Sequence, residues 1–122
     1  MYASAALIRN LNHRDLTRSA IKHLKRPLLA EFYASWCGHC QHLAPAIRKL
    51  SILFEDKVDF GAVNCERKES LCRQQQIEGY PTLRLFLPDG STDQYNGPLE
   101  PNPIEAWLRD GMDTSLRTFT NL

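Results

Sequence analysis

The chain has 122 residues, of which 43% are hydrophobic and 24% charged, with 15 Lys plus Arg against 14 Asp plus Glu and a formal net charge of +1. That is the balance of one ordinary globular domain, with a radius of gyration of about 14 Å and roughly two thirds of its extended surface buried, so it needs no metal staple to hold a core. The basic residues are scattered, which excludes the charged footprint that nucleic acid or an anionic membrane surface would require.

The opening Met-Tyr-Ala-Ser-Ala-Ala-Leu-Ile lacks the basic start and long apolar centre of a secretion signal, and no apolar run approaches the roughly 20 residues that span a bilayer. The expectation is a cytosolic protein or an excised piece of a longer secretory one. A short strand is predicted near Leu7 and Ile8, followed by a helix capped by Asn12, with Leu16, Ala20 and Leu24 on one face as far as Pro27. Leu28 to Ala34 is almost continuously apolar, the pattern of a strand covered by helices on both faces, and it contains one carboxylate, Glu31.

From Gly38 onward Leu43, Ala46, Ile47, Leu50, Leu53 and Phe54 recur at helical spacing, with Pro45 predicting a kink because its ring crowds the preceding turn. Val58, Phe60 and Ala62 alternate as a strand, and a shorter helix is predicted from about Glu66 to Gln75. Thr82 to Leu87 is another strand, turned by Pro88-Asp89-Gly90 into a partner that ends near Tyr95. The last helix is predicted with Asn102 as cap, Pro103 in the first position, Glu105 closing a capping box and Gly111 as the stop, with Ile104, Trp107 and Leu108 facing inward. The order β-α-β-α-β-α-β-β-α predicts an α/β fold in which helices cover both faces of a mixed sheet, with functional groups at strand C-termini.

Cys37 and Cys40 lie in Trp36-Cys37-Gly38-His39-Cys40, where the buried strand gives way to the kinked helix. At a helix start, unpaired N–H groups and the positive end of the macrodipole stabilise a Cys37 thiolate, and a His39 imidazolium adds to that. The thiolate is the species that attacks a disulfide, and a second thiol one turn later can displace the product. An exposed Cys37 is therefore the expected nucleophile and Cys40 the resolving thiol. Two other readings of the pair stand beside this one: an inert disulfide, and a zinc site completed by His39, His42 or the Cys65 and Cys72 pair. The seven-residue spacing of Cys65 and Cys72 is not a usual zinc knuckle, and zinc gives no reason for Trp36 and His39, so no metal is expected.

The run Glu-Phe-Tyr-Ala-Ser-Trp-Cys-Gly-His-Cys from Glu31 to Cys40, Pro45 five positions on, and Gly79-Tyr80-Pro81-Thr82 together resemble a thioredoxin-fold domain of the protein disulfide isomerase family. The resemblance spans nearly the whole chain, and Cys-Gly-His-Cys is the form typical of that family's active domains. It implies a thiol-disulfide oxidoreductase or isomerase in the endoplasmic-reticulum lumen that forms, reduces or rearranges client disulfides. The implied catalytic set is Cys37, Gly38, His39 and Cys40, with Glu31 as the buried carboxylate that handles the Cys40 proton. Trp36, Tyr80 and Pro81 would meet the client, with Tyr80-Pro81 a cis bond beside the cysteines. No cofactor is implied beyond the Cys37–Cys40 disulfide itself, with glutathione or a partner oxidase or reductase exchanging its electrons. The implied partners are unfolded or misoxidised clients.

Physics supports the Glu31 role, because a carboxylate in a strand buried on both faces has its pKa raised by desolvation toward a range useful for proton transfer. Placement at a sheet edge is the plainer alternative. Three positions depart from the family pattern: Gln41 stands where a Lys usually follows the motif, Ala62 where a Lys often pairs with the buried glutamate, and Leu99 where an Arg often follows Gly-Pro.

The resemblance also makes Cys65 and Cys72 a structural disulfide. On one straight helix their Cα atoms would be about 10.5 Å apart, beyond the ~7 Å limit of a bridge, so a bond requires Cys65 to lie at the strand end. Two free buried thiols are the alternative. Residues 1–112 are expected to form the thioredoxin-like domain, monomeric within a larger protein, and 113–122 a tail or the start of a linker. A redox-inactive client-binding module of a chaperone and a zinc-binding structural domain are the competing functions.

Overall fold

The computed structural model describes residues 1, 2 and 7–120, with side chains as far as 112; residues 3–6, part of the opening segment weighed as a leader, and 121 and 122 lie outside it. In chain order the elements are β1 (Ile8–Asn10), a 3-10 turn (His13–Leu16), α1 (Arg18–Lys22), β2 (Leu28–Tyr33), α2 (Gly38–Leu53), β3 (Asp59–Asn64), α3 (Glu69–Gln74), β4 (Thr82–Phe86), β5 (Thr92–Gln94) and α4 (Pro101–Thr120). The strands form one sheet in the order β1-β3-β2-β4-β5. β1 and β2 each run parallel to β3, whereas β4 is antiparallel to both β2 and β5. This is the mixed α/β arrangement that the order of elements predicts.

Every residue of β2 is buried, as its apolar run requires at the centre of the sheet. Successive side chains point to opposite faces. Leu29 and Tyr33 pack with Leu43, Ile47 and Leu50 of α2 and Ile104 and Leu108 of α4, while Leu28, Ala30 and Phe32 pack with Ile21 of α1 and Leu71 of α3. Each of these large apolar side chains contributes roughly 1.5–3 kcal/mol by leaving water. Glu31 has the parity of Leu29 and Tyr33 and so faces the α2 side. α2 passes through Pro45 as a single helix, held by the apolar stripe on both sides of the proline.

Several boundaries differ from the sequence expectation for local reasons. The first helix is divided, because Thr17 leaves the helical conformation and its hydroxyl accepts the Ala20 N–H at 3.1 Å, capping α1 afresh. α3 begins at Glu69 rather than Glu66, since the Asn64 side chain accepts the Glu66 N–H at 3.0 Å and turns the chain before the helix. α4 begins at Pro101, so Asn102 is not its cap and Pro103 is not its first residue. Of two prolines, the earlier occupies the position where a missing N–H costs nothing. Glu105 accepts from Arg109 Nε at 3.1 Å in an i, i+4 pair instead of closing a capping box. Gly111 does not stop the helix: a Cβ there would come within 2.5 Å of Leu85 Cδ2, so this glycine serves close packing of α4 on the sheet. The backbone of 113–120, expected as a tail, continues α4. Gly90, with φ of 91°, supplies the left-handed residue of the β4–β5 turn.

Candidate active site

Cys37 is the N-cap of α2, reached from the β2 C-terminus at Tyr33 through the short loop Ala34-Ser35-Trp36. The backbone N–H of Cys40 donates to Cys37 Sγ at 3.2 Å, and the Cys37 thiol faces the Tyr80 carbonyl at 3.7 Å. Both cysteines are free thiols. Cys37 is only 6% exposed, not the open nucleophile the motif suggests, because the Tyr80 carbonyl and the helix terminus enclose its sulfur; Cys40 is fully buried. Gly38 and His39 form the first turn of α2 and are both exposed.

Tyr80-Pro81 is a cis peptide bond. Trp36 is 68% exposed and meets the Tyr80 ring edge-on at a centroid distance of 5.8 Å. The structure therefore gathers Trp36, Cys37, Cys40 and Tyr80 at one end of the sheet, with an aromatic shelf beside the sulfur.

The loop before Cys37 is held from two sides. Gln41 Nε2 donates to the Ser35 carbonyl at 2.7 Å, and the Glu66 carboxylate accepts from both the N–H and the hydroxyl of Ser35. Those two hydrogen bonds hold the Glu66 carboxyl below the usual carboxylate range. Gln41, which departs from the family's usual Lys, has this neutral tethering contact in its place.

Glu31 is 1% exposed, and desolvation is the main force that pushes its pKa up to about 7. Its partner is Tyr2, whose hydroxyl donates to Oε1, while Oε2 has no hydrogen-bond partner among the described residues. Ala62 lies opposite Glu31 in the β2–β3 register and brings no charge. Burial first, then the hydrogen bond with Cys37, pushes the Cys40 thiol up to about 12, with the nearby Glu31 charge adding to the rise. A thiol that reluctant needs a base to become a nucleophile near neutrality. Sequence reasoning missed Tyr2, because no local pattern links a residue at the start of the chain with a carboxylate 29 positions away.

Cys65 follows the last residue of β3, hydrogen-bonded through its N–H to the Tyr33 carbonyl at 2.8 Å, and is joined to Cys72 with Cα atoms 5.8 Å apart. Their sulfurs are thus committed to one another. Among the described residues no group of three or more His, Cys, Asp or Glu converges as metal ligands, and no helix is long and apolar enough to cross a membrane. Leu99, 36% exposed, stands in the loop before α4.

The thioredoxin family model matches residues 10–110. A protein disulfide-isomerase of Aspergillus oryzae is 38% identical over 82 residues, 66% of this chain and 16% of its own length. Protein disulfide-isomerase A2 of Mus musculus is 36% identical over 104 residues, 81% of this chain and 19% of its own. This chain thus spans less than a quarter of the length of these two relatives. Among solved structures, the J-Trx1 fragment of ERdj5 superposes with a TM-score of 0.80 at 26% identity, covering 92% of this chain and 55% of that one. Human ERp44 gives 0.72 at 25% identity, over 84% of this chain and 29% of its own. With its sheet order, its paired cysteines at the start of α2 and a family match across most of its length, the chain belongs to the thioredoxin family.

Proposed function

We propose that this domain is a protein thiol-disulfide oxidoreductase of the disulfide-isomerase type, in which Cys37 attacks a client disulfide and Cys40 resolves the mixed disulfide. The observation that carries the reading is the asymmetry of the two thiols: Cys37 Sγ sits at the N-terminus of a 16-residue helix and accepts a backbone N–H, whereas Cys40 is fully buried and feels the charge of Glu31. A helix N-terminus and a neighbouring histidine are the surroundings in which a cysteine becomes reactive, and Cys37 has both.

The client disulfide breaks as a Cys37–client bond forms, and one client sulfur leaves as a thiolate. Cys40 then gives its proton to Glu31, attacks Cys37 Sγ and expels the second client sulfur, leaving the Cys37–Cys40 disulfide and a client reduced by two electrons. Run in reverse, the same steps oxidise a client dithiol. Trp36, exposed, and Tyr80, half-buried beside it, offer an aromatic shelf, and the backbone at Tyr80-Pro81 pairs with an extended client segment.

Glutathione or a partner oxidase or reductase resets the cysteine pair. Residues 1–112 act as the monomeric catalytic unit of a larger protein of the endoplasmic-reticulum lumen or secretory pathway, and 113–122 lead toward its next domain. The disulfide-isomerase names of the relatives and their greater lengths support this reading. Recovery of activity by a client with scrambled disulfides tests it: catalysed recovery is expected, with loss on Cys37→Ser, and a rate equal to the glutathione buffer alone overturns it.

A further inference from the structure

We propose that Tyr2 is the positioning residue for proton transfer at Cys40: its hydroxyl orients the Glu31 carboxylate through Oε1 and leaves Oε2 free to take the proton. The proposal rests on the Glu31 role stated above and extends it to a residue outside the motif. Glu31 Oε1 accepts the Tyr2 hydroxyl and Oε2, equally buried, has no partner among the described residues. A buried carboxylate with one donor-held oxygen and one open oxygen is oriented for a single proton exchange.

Tyr2 is itself buried and held by two ring contacts. It is 3% exposed, its ring meets Tyr33 edge-on at 5.8 Å, and the Arg48 guanidinium lies 5.5 Å over its face while donating to the Met1 carbonyl at 2.8 Å. Burial raises the Tyr2 phenol far above its ordinary range, so it remains a donor throughout the working pH and does not compete for the proton. Its ring also lines a pocket of about 310 Å³ with Asn10, Tyr33, Ala62, Arg67 and Lys68. Ala62, which lines that pocket, lies opposite Glu31 in the β2–β3 register, so the pocket is on the strand next to the carboxylate. The ionisable groups around the pair are Tyr33 from β2, Cys40 and Arg48 from α2, and Arg67 and Lys68 from the segment after β3.

The test follows the reduced protein as it reacts with dithiobis(nitrobenzoate) in stopped flow across neutral pH. Cys37 releases the first nitrothiobenzoate and forms a mixed disulfide; Cys40 then attacks Cys37 Sγ, passes its proton to Glu31 and releases the second. Tyr2→Phe keeps the ring contacts and removes the donor. Its first release is expected to match wild type, and its second release to move its pH midpoint upward by about one unit, because an ionised Glu31 without its hydrogen bond is harder to form. In a Glu31→Gln background Tyr2→Phe is expected to add no shift.

A Tyr2→Phe midpoint that coincides with wild type, while Glu31→Gln abolishes the ionisation, overturns the Tyr2 proposal and leaves the Glu31 role standing. An ionisation that survives Glu31→Gln instead removes the Glu31 role. Should Tyr2→Phe not fold, the infrared carboxylic-acid band that Glu31→Gln deletes decides the matter in the intact protein. A hydrogen-bonded carbonyl frequency is expected, and the frequency of an unbonded one contradicts the proposal.

Discussion

The backbone N–H of Cys40 donates to the sulfur of Cys37 at 3.2 Å, so the polypeptide that buries one thiol stabilises negative charge on the other. The division of labour between two chemically identical side chains thus comes from a single helical turn. Cys37 should be the first thiol alkylated by iodoacetamide near neutral pH, with Cys40 protected by its burial and by a thiol pushed up to about 12. Mass mapping of the native reduced protein checks this, and faster labelling at Cys40, Cys65 or Cys72 would contradict it.

Glu31 makes stability depend on pH with a definite sign. Its folded pKa, about 7, lies above its ordinary value of 4.5, so the native state binds the proton more tightly than the unfolded chain does. Stability contributed by the protonated carboxyl is complete below about pH 4.5 and falls as pH rises to about 7. Glu31→Gln should abolish that slope and gain up to about 3 kcal/mol relative to wild type on moving from acid to mildly alkaline conditions. Urea unfolding at several pH values reads it directly; parallel slopes for the two proteins would mean that the carboxyl does not titrate in this window.

His39 is exposed in the first turn of α2, two residues from Cys37, and a basic side chain so placed favours the reduced form of a cysteine pair. His39→Pro should lower the reduction potential of the pair, from near the isomerase value of about −180 mV toward the roughly −270 mV of thioredoxin. Equilibration in glutathione buffers measures this. An unchanged or higher potential would shift the tuning role to the helix terminus alone.

Gln41 and Glu66 hold Ser35 from opposite sides, two residues before the nucleophile. Glu66→Ala should release the loop at Ser35 and slow the attack of Cys37 by a few-fold without altering the release step governed by Cys40, since only the former depends on where the loop places its sulfur. Stopped-flow rates of the two steps separate these effects, and an equal slowing of both would point to a general loss of structure.

The almost continuous apolar run of β2 points to a central strand because burial on both faces leaves little polar alternation, while the spacing of Cys37 and Cys40 needs their sequence context and the family resemblance to point to exchange chemistry. The start of α4 was less legible, since Pro101, Asn102 and Pro103 present two competing signals in three residues and the missing N–H of Pro101 prevailed. Gly111 read as a stop because a local rule cannot see Leu85 packed against it. The Tyr2–Glu31 hydrogen bond was invisible for the same reason: it is formed by tertiary packing, and neither residue's neighbours in sequence encode it.

Trapping of a mixed disulfide tests the division of roles between Cys37 and Cys40 most directly. Cys40→Ala retains the attacking sulfur and removes the resolving one, so on exposure to an unfolded client bearing a disulfide it should accumulate a mixed disulfide located by mass spectrometry at Cys37. Cys37→Ala should accumulate far less. Equal yields from the two variants, or a client joined to any other cysteine, would contradict the assignment of attack to Cys37 and resolution to Cys40.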